Sequence, residues 1–182
     1  MKPQRVSLLF SAILILANTS YPAGATTDQT KMVLLNSING AISPKSVSAS
    51  NNGLVSAHNM MYRHSVTIYD AQNMELQATV SDSVQLADFG YTKYSGNYKG
   101  APVEGAFSPD GKYLYFTNYA MYGKGFTKEG HDTCSPASGY DTSFLSRINL
   151  EDKKIDAVYP VGSVPKVVKV TPDNKYILVS HW

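Results

Sequence analysis

The sequence offers few side chains whose types and spacing suit catalysis or metal binding. Glu129, His131 and Asp132 form its one compact group of possible metal ligands. Their E-x-H-D spacing matches no metal-binding motif, so a solvated loop is the better interpretation. The chain has no glycine-rich phosphate loop and no G-x-S-x-G, C-x-x-C, C-x-x-C-H or H-E-x-x-H motif. We therefore predict no catalytic residue, no metal site and no cofactor.

The N-terminus has the three-part pattern of a secretory signal peptide. Lys2 and Arg5 precede a run of 12 uncharged residues at 6–17, and Ala23-Gly24-Ala25 supplies the small residues of a cleavage site. The apolar run is shorter than the roughly 20 residues that cross a bilayer. We expect cleavage after Ala25, with no transmembrane anchor, and export to the periplasm, the cell surface or the medium.

Charge argues against nucleic acid as a partner. The chain has 16 basic and 14 acidic residues, and removal of the signal peptide takes away Lys2 and Arg5 and no acid. The mature chain is then neutral and gains little from contact with phosphate.

The main organising feature is a tandem repeat. Segments that begin at Pro44, Pro102 and Pro165 align without gaps for ten residues and end in Asn-Gly, Asp-Gly and Asp-Asn, respectively. These pairs tolerate the positive φ angles of tight turns, and alternating apolar residues flank them, so each segment predicts strand, turn, strand. The second strands are predicted at 54–58, 113–118 and 176–181, the third at 65–70 and 144–149, and the fourth at 76–80 and 155–159. Residues 31–38 are predicted to form a lone fourth strand.

Residues 107–118 (FSPDGKYLYFTN) and 170–180 (VTPDNKYILVS) resemble the YVTN-type β-propeller repeat of exported bacterial and archaeal proteins. The resemblance covers about residues 31–182 and implies four-stranded blades around a central axis, usually seven in this family. We therefore expect an all-β, incomplete propeller at 26–182, with blades at about 44–81, 102–161 and 165–182. The alternative is a β-sandwich built from the same hairpins.

Two full repeats and half of a third are too few to close a propeller, which needs about four to eight blades. The sequence is therefore expected to be a fragment of a longer protein or a prematurely stopped reading frame. Closure by several chains is the alternative.

Two stretches interrupt the repeat. The first insertion is residues 82–100 and the second is residues 120–143. Because antiparallel strands alternate in direction, both are expected on one face of the propeller. Tyrosine combines a flat apolar ring with a polar tip and suits contacts with sugars, peptides or proteins. The predicted binding residues on this face are Tyr91, Tyr94, Tyr98, Tyr119, Tyr122, Phe126, His131 and Tyr140. For any single ring, packing of the loops onto the sheets is the alternative.

Three other residues carry weaker expectations. His58 and His181 lie at similar places in the repeat, with Asn118 between them in the series, and a hydrogen-bonded structural role is favoured over a place in the channel. Cys134 is the one cysteine. It is either a free thiol or the partner of a cysteine beyond residue 182 in a longer parent.

Two functions fit this pattern. The first is a non-catalytic module that binds an unidentified protein, peptide or carbohydrate. The second, implied by the resemblance, is a fragment of a propeller enzyme such as a lactonase-like hydrolase or a quinoprotein-like dehydrogenase. Fold alone does not separate them.

Overall fold

The computed structural model describes residues 33–34, 36–131 and 139–182. The chain divides into two units, residues 1–35 and 36–182, and every strand described below belongs to the second. This unit is all-β, as the sequence predicts, and its described residues form four antiparallel sheets. The predicted signal peptide and Cys134 lie outside the described residues.

The first sheet contains four antiparallel strands in chain order, each hydrogen-bonded to the next. They are β1 (Ser46–Ala49), β2 (Leu54–Asn59), β3 (Ser65–Asp70) and β4 (Leu76–Ser81). Gly53 has a φ of +85° in the turn between β1 and β2. This conformation explains why an Asn-Gly pair marks the hairpin in the sequence.

A two-stranded sheet follows inside the first insertion. It pairs β5 (Val84–Gln85) with β6 (Asn97–Tyr98), and a 3-10 helix (Leu86–Phe89) lies between them. The sequence does not predict these two strands, because an alternation of only two residues is too short to recognise.

The second and third repeats form the remaining sheets. The second sheet has four antiparallel strands, again with sequence neighbours paired, and the third has two. These strands are β7 (Pro102–Phe107), β8 (Tyr113–Asn118), β9 (Ser143–Asn149), β10 (Lys154–Val161), β11 (Pro165–Val170) and β12 (Ile177–His181). Each of the strands predicted from the three repeats is present within a residue or two of its expected limits.

The lone strand predicted at 31–38 is the exception. Of its described residues, 33, 34 and 36–38, none is in a strand, and Val33 and Leu34 are exposed. A strand needs a partner for its backbone hydrogen bonds, and no described strand pairs with this stretch.

Consecutive sheets pack against each other through apolar side chains. One buried cluster joins the first sheet to the second, and another joins the second sheet to the third. The first contains Val66, Ile68, Val80, Leu114, Phe116 and Ile148, and the second contains Tyr115, Leu145 and Val168. The middle sheet thus buries both faces. This serial stacking favours a propeller-like arrangement over a sandwich, in which two sheets share one core.

The structure corrects one detail of the repeat. The turn between the first two strands is one residue shorter in the first sheet than in the other two. The pairs that close these turns are Ala49–Val55, Phe107–Leu114 and Val170–Ile177.

This difference shifts the correspondence of the residues that follow. Asn59, not His58, is the counterpart of Asn118 and His181, whereas His58 corresponds to Thr117. The sequence comparison that matched His58 with His181 was therefore wrong by one position. A shift of one residue along a strand places a side chain on the opposite face of the sheet.

The corrected register reveals a repeated buried contact. The side-chain amide of Asn59 donates to Oγ1 of Thr67 over 3.2 Å, and that of Asn118 donates to Oγ of Ser146 over 3.2 Å. Both bonds run from the end of the second strand to the third. Each satisfies a buried polar group and fixes the pairing of the two strands.

His58 lies between the first and second sheets. Its Nδ1 is 3.0 Å from Oγ of Ser46, and a Cβ placed on Gly105 of β7 would lie 2.1 Å from its Nε2. A glycine is therefore required where this ring meets the next sheet. At the corresponding place Thr117 donates from Oγ1 to the carbonyl oxygen of Lys166, 2.6 Å away, on the third sheet. His58 thus has the structural role that the sequence favoured.

Burial makes His58 a source of acid sensitivity. Desolvation lowers its pKa from 6.5 to about 4, against a smaller opposing effect of the hydrogen bond with Ser46. Between these values the unfolded chain binds a proton that the folded chain does not, so stability falls as the pH falls. From pH 7.5 to pH 4.5 we expect this residue to contribute a loss of about 2–3 kcal/mol.

Urea unfolding at the two pH values tests this expectation. The His58→Gln variant should show a smaller pH dependence of its unfolding free energy, whatever its stability at pH 7.5. The exposed His131 provides the matched control, and His131→Gln should keep the full dependence. An equal dependence in the His58→Gln variant and the unaltered protein would contradict the assignment.

Candidate functional site

The two insertions fold against each other rather than projecting separately. Side chains of both, together with two residues of the second sheet, form a third buried cluster. Its members are Val84, Leu86, Tyr98, Met121, Phe144 and Val158. The backbones also meet, since Lys99 and Tyr122 exchange hydrogen bonds of 3.3 and 2.8 Å. The insertions therefore form one supported layer at the end of the sheets, which we call the loop face.

Aromatic rings make up much of this layer. Phe126 stacks on Tyr94 with ring centroids 4.9 Å apart, and its edge contacts Tyr98 at 5.6 Å. Tyr91 contacts Phe144 of β9 at 5.1 Å. Ring pairs of this kind contribute about 0.5–1.5 kcal/mol beyond the area that they bury.

Two of the phenol groups, those of Tyr91 and Tyr98, bond to backbone carbonyl oxygens. Tyr91 donates to the carbonyl oxygen of Val158 at 3.1 Å, and Tyr98 contacts the carbonyl oxygens of Ser95 and Lys124 at 3.2 and 3.1 Å. Tyr98 is only 2% exposed. The structure thus places Tyr98 below the surface, where its ring and hydroxyl hold the insertions together.

The other predicted binding residues lie farther out. Tyr122 is 38% exposed and donates from its hydroxyl to Glu129 over 3.0 Å. Tyr140 is half-buried, and its hydroxyl lies 3.0 Å from Nε2 of His131. The ammonium of Lys166 lies 5.0 Å from the ring centroid of Tyr119.

The predicted residues therefore separate into two sets. Tyr91, Tyr94, Tyr98 and Phe126 form the packed layer. Tyr119, Tyr122, His131 and Tyr140 lie around it, and Cys134 is outside the described residues.

Sequence reasoning missed a histidine–aspartate pair at this face. Nδ1 of His64 lies 3.3 Å from Oδ2 of Asp82 and 2.8 Å from the carbonyl oxygen of Gly100. A signal was present, because β3 starts at Ser65 and pairs there with Ser81, the last residue of β4. The residues just outside that pair must therefore be neighbours.

Burial dominates the electrostatics of Asp82, whose side chain is 1% exposed. Desolvation raises its pKa to about 6, and the nearby His64 and Lys99 act in the opposite direction. Desolvation and Glu129 together raise the pKa of Tyr122 to about 12, so that its phenol stays protonated.

The histidine lies on a strained connection between β2 and β3. Tyr62 and His64 have φ angles of 65° and 48°, in the left-handed region that non-glycine residues seldom adopt. Such outliers persist only where the surroundings enforce them, and they are frequent at functional sites. Here Asp82 and Gly100 hold the ring of His64 in place.

A cavity of about 320 Å³ opens beside this connection. We call it the loop-face cavity, and it is lined by Met60, Met61, Tyr62, His64, Lys99 and Tyr122. The ring of Tyr122 meets that of His64 edge to face, with centroids 5.8 Å apart. The cavity thus combines aromatic and thioether walls with one imidazole and one ammonium group.

The group of Glu129, His131 and Asp132 is only partly described, since Asp132 lies outside the described residues. In the part of the chain that the structure covers, no three His, Cys, Asp or Glu side chains lie close enough to hold a metal ion. Among the same residues, no helix reaches the length and apolar character that a bilayer crossing requires.

Comparison with known proteins supports the fold and no particular activity. No protein-family model matches the chain, and no curated protein is significantly similar to it. Hydrazine synthase of Kuenenia stuttgartiensis shares 20% identity with a TM-score of 0.52, over 83% of this chain and 33% of that one. A Bacteroides uniformis protein provisionally assigned as a 6-phosphogluconolactonase shares 18% identity with a TM-score of 0.47, over 79% of this chain and 34% of that one.

The chain thus spans about a third of each matched structure. At this level of identity the likeness to hydrazine synthase concerns the fold alone. It supports a propeller-like, all-β class for this protein.

Packing of the insertions can be tested at Phe126. We expect Phe126→Ala to cost about 2 kcal/mol locally, because the half-buried ring loses its stack on Tyr94 and its contact with Tyr98. The backbone amide of Tyr122 should then exchange its hydrogen faster, whereas that of Phe116 in β8 should not.

Phe107 is the matched control, since it is also half-buried but packs on the cluster between the first two sheets. Phe107→Ala should lower the unfolding free energy without selectively accelerating exchange at Tyr122. Equally faster hydrogen exchange at the amides of Tyr122 and Phe116 in the Phe126→Ala variant would show that the insertions are not a separate layer.

Proposed function

We propose that this protein is an exported, propeller-like module that binds its ligand at the loop face and does not act on it chemically. In this proposal the two four-stranded sheets are blades of the YVTN type, and β11 and β12 begin a third. The ligand is a protein, a peptide or a carbohydrate.

The observation that supports this proposal most strongly is the architecture of the loop face. The two insertions have their own buried cluster, and this cluster is anchored to the second sheet through Phe144 and Val158. Tyr62 and Tyr122, which line the loop-face cavity, are 87% and 38% exposed. Rigid aromatic side chains around a preformed cavity supply contact area at a low entropic cost.

The His64–Asp82 pair favours a second candidate function, catalysis by general acid or base. A carboxylate beside Nδ1 orients an imidazole so that Nε2 is available for proton transfer. The two matched structures carry enzyme names, but the likeness is one of fold and covers only a third of each. Their activities therefore add no weight to this candidate.

Binding is testable with arrays of glycans and of peptides probed with the purified protein. We expect a reproducible ligand whose signal falls at least about tenfold in Tyr122→Ala and in Tyr62→Ala, because truncation of an aromatic ring that anchors a ligand costs about 2 kcal/mol or more, and about 1.4 kcal/mol already corresponds to tenfold. Tyr159 is also 38% exposed but lies on β10, so Tyr159→Ala is the matched control for Tyr122. Tyr176, at 66%, serves the same purpose for Tyr62.

Two results would reject the binding proposal. The first is no signal on either array. The second is equal losses in the loop-face variants and the two controls. Release of a chemically altered ligand, abolished in His64→Gln, would favour the enzyme instead.

Export is testable at the proposed cleavage site. In a secreting bacterial host, the exported protein should begin at Thr26. Ala25→Phe should block processing because the last residue before the cut must be small, whereas Gly24→Phe should be processed normally. Exported protein that begins at Met1, or equal processing of the two variants, would contradict the signal-peptide assignment.

A further inference from the structure

The loop-face cavity brings together three side chains whose donor atoms suit one kind of metal ion. Met60, Met61 and His64 lie within five residues on the connection between β2 and β3, and all three line the cavity. Thioether sulfur is a soft ligand that selects Cu(I), and imidazole also suits copper. We propose that this cavity binds one Cu(I) ion through the thioethers of Met60 and Met61 and through Nε2 of His64.

The hydrogen bonds of His64 prepare its ring for this role. Nδ1 faces two acceptors, the carbonyl oxygen of Gly100 at 2.8 Å and Oδ2 of Asp82 at 3.3 Å. Nδ1 must therefore carry the proton, which leaves the lone pair of the neutral ring on Nε2. Metal-binding histidines typically donate from their second nitrogen to a carboxylate or a carbonyl in this way. Within the described residues, neither hydrogen bond of His64 uses Nε2.

The connection between β2 and β3 places the three residues along one cavity. Tyr62 and His64 have positive φ angles in this connection, and Met60, Met61 and His64 line one cavity despite their short separation in sequence. A regular two-residue hairpin turn would place alternate side chains on opposite faces. The proposed copper site accounts for the backbone strain at Tyr62 and His64, which the connection of two strands does not by itself require.

The surroundings favour copper over zinc. Zinc sites use cysteine, histidine and carboxylate ligands, and the described residues contain no group of three such side chains close enough to bind a metal. A singly charged ion also suits this cavity better than a divalent one. The ammonium of Lys99 lines the same cavity, and the Asp82 carboxylate that offsets it lies behind His64 rather than in the cavity wall.

This inference goes beyond the proposed binding function and concerns other side chains of the same cavity. Tyr62 lines the cavity but offers no donor in the copper site. Tyr62→Ala should therefore weaken binding of an array ligand and leave Cu(I) binding unchanged. Ligand binding on the arrays and Cu(I) binding are measured separately, so failure of one proposal can be told from failure of the other.

The test is an anaerobic titration of the purified protein with Cu(I) in competition with the chromogenic chelator bicinchoninate. Because a thiol is itself a Cu(I) ligand, the reference protein carries Cys134→Ser. We expect this reference to bind one Cu(I) per chain and to show sulfur and nitrogen neighbours of copper by X-ray absorption spectroscopy.

Four variants in the same background locate the site. Met60→Leu combined with Met61→Leu preserves side-chain volume and should abolish binding, and His64→Gln should do the same. Met74→Leu is the matched control, in the turn between β3 and β4, and should bind as the reference does. Asp82→Asn, which alters only a positioning residue, should weaken binding about 10- to 100-fold. Unchanged urea unfolding of the double methionine variant would show that lost binding is not lost folding.

Four results would overturn the proposal. They are loss of all Cu(I) binding on the Cys134→Ser change alone, undiminished binding in the double methionine variant, an X-ray absorption spectrum without sulfur neighbours in the reference protein, and tighter binding of Zn(II) than of Cu(I).

Discussion

Contact between one sheet and the next is the interaction on which the rest of the structure depends. A strand hairpin of this size is marginal alone, and each sheet here becomes stable only because its neighbour covers an apolar face. The middle sheet shows the principle, since Phe116 packs on the first sheet and Leu145 packs towards the third. The first two sheets can approach this closely beside His58 only because Gly105 has no side chain there. The same contact excludes water from His58 and makes sheet packing sensitive to acid.

Stacked sheets also determine where other chemistry is possible. Inside the stack, the side chains of Asn59 and Asn118 form hydrogen bonds that fix the pairing of the second strand with the third. Connections leave the stack at the strand ends, and both insertions lie at one such end. Their aromatic residues form a second small core on the second sheet. The second sheet and this added core together support the loop-face cavity.

Local chemistry made the strands predictable, and long-range packing limited the prediction of the site. Asn-Gly and Asp-Gly pairs between alternating apolar residues located the hairpins, because turn geometry depends on few adjacent residues. The one-residue difference between turns is already present in the predicted strand starts, since residue 54 is ten positions after Pro44 whereas residues 113 and 176 are eleven positions after Pro102 and Pro165. A comparison of His58 with His181 by residue type overlooks it. The burial of Tyr98 depends on contacts with Lys124 and Phe126, which only the folded insertions bring together. His64 and Asp82 were predictable in principle from the pairing of β3 with β4, but no sequence motif marks them.

The orientation of His64 by Asp82 and Gly100 serves a general base and a metal ligand equally well, because both uses need a neutral ring with its lone pair on Nε2. The remaining walls of the cavity distinguish between these uses. A base needs a polarised substrate or water beside Nε2, and the thioethers of Met60 and Met61 are too weak as hydrogen-bond acceptors to position one. Those same sulfur atoms are good ligands for a soft cation. The pairing of an oriented imidazole with two thioethers is thus better matched to holding an ion than to moving a proton, and the strained backbone at Tyr62 and His64 is the structural cost of that arrangement.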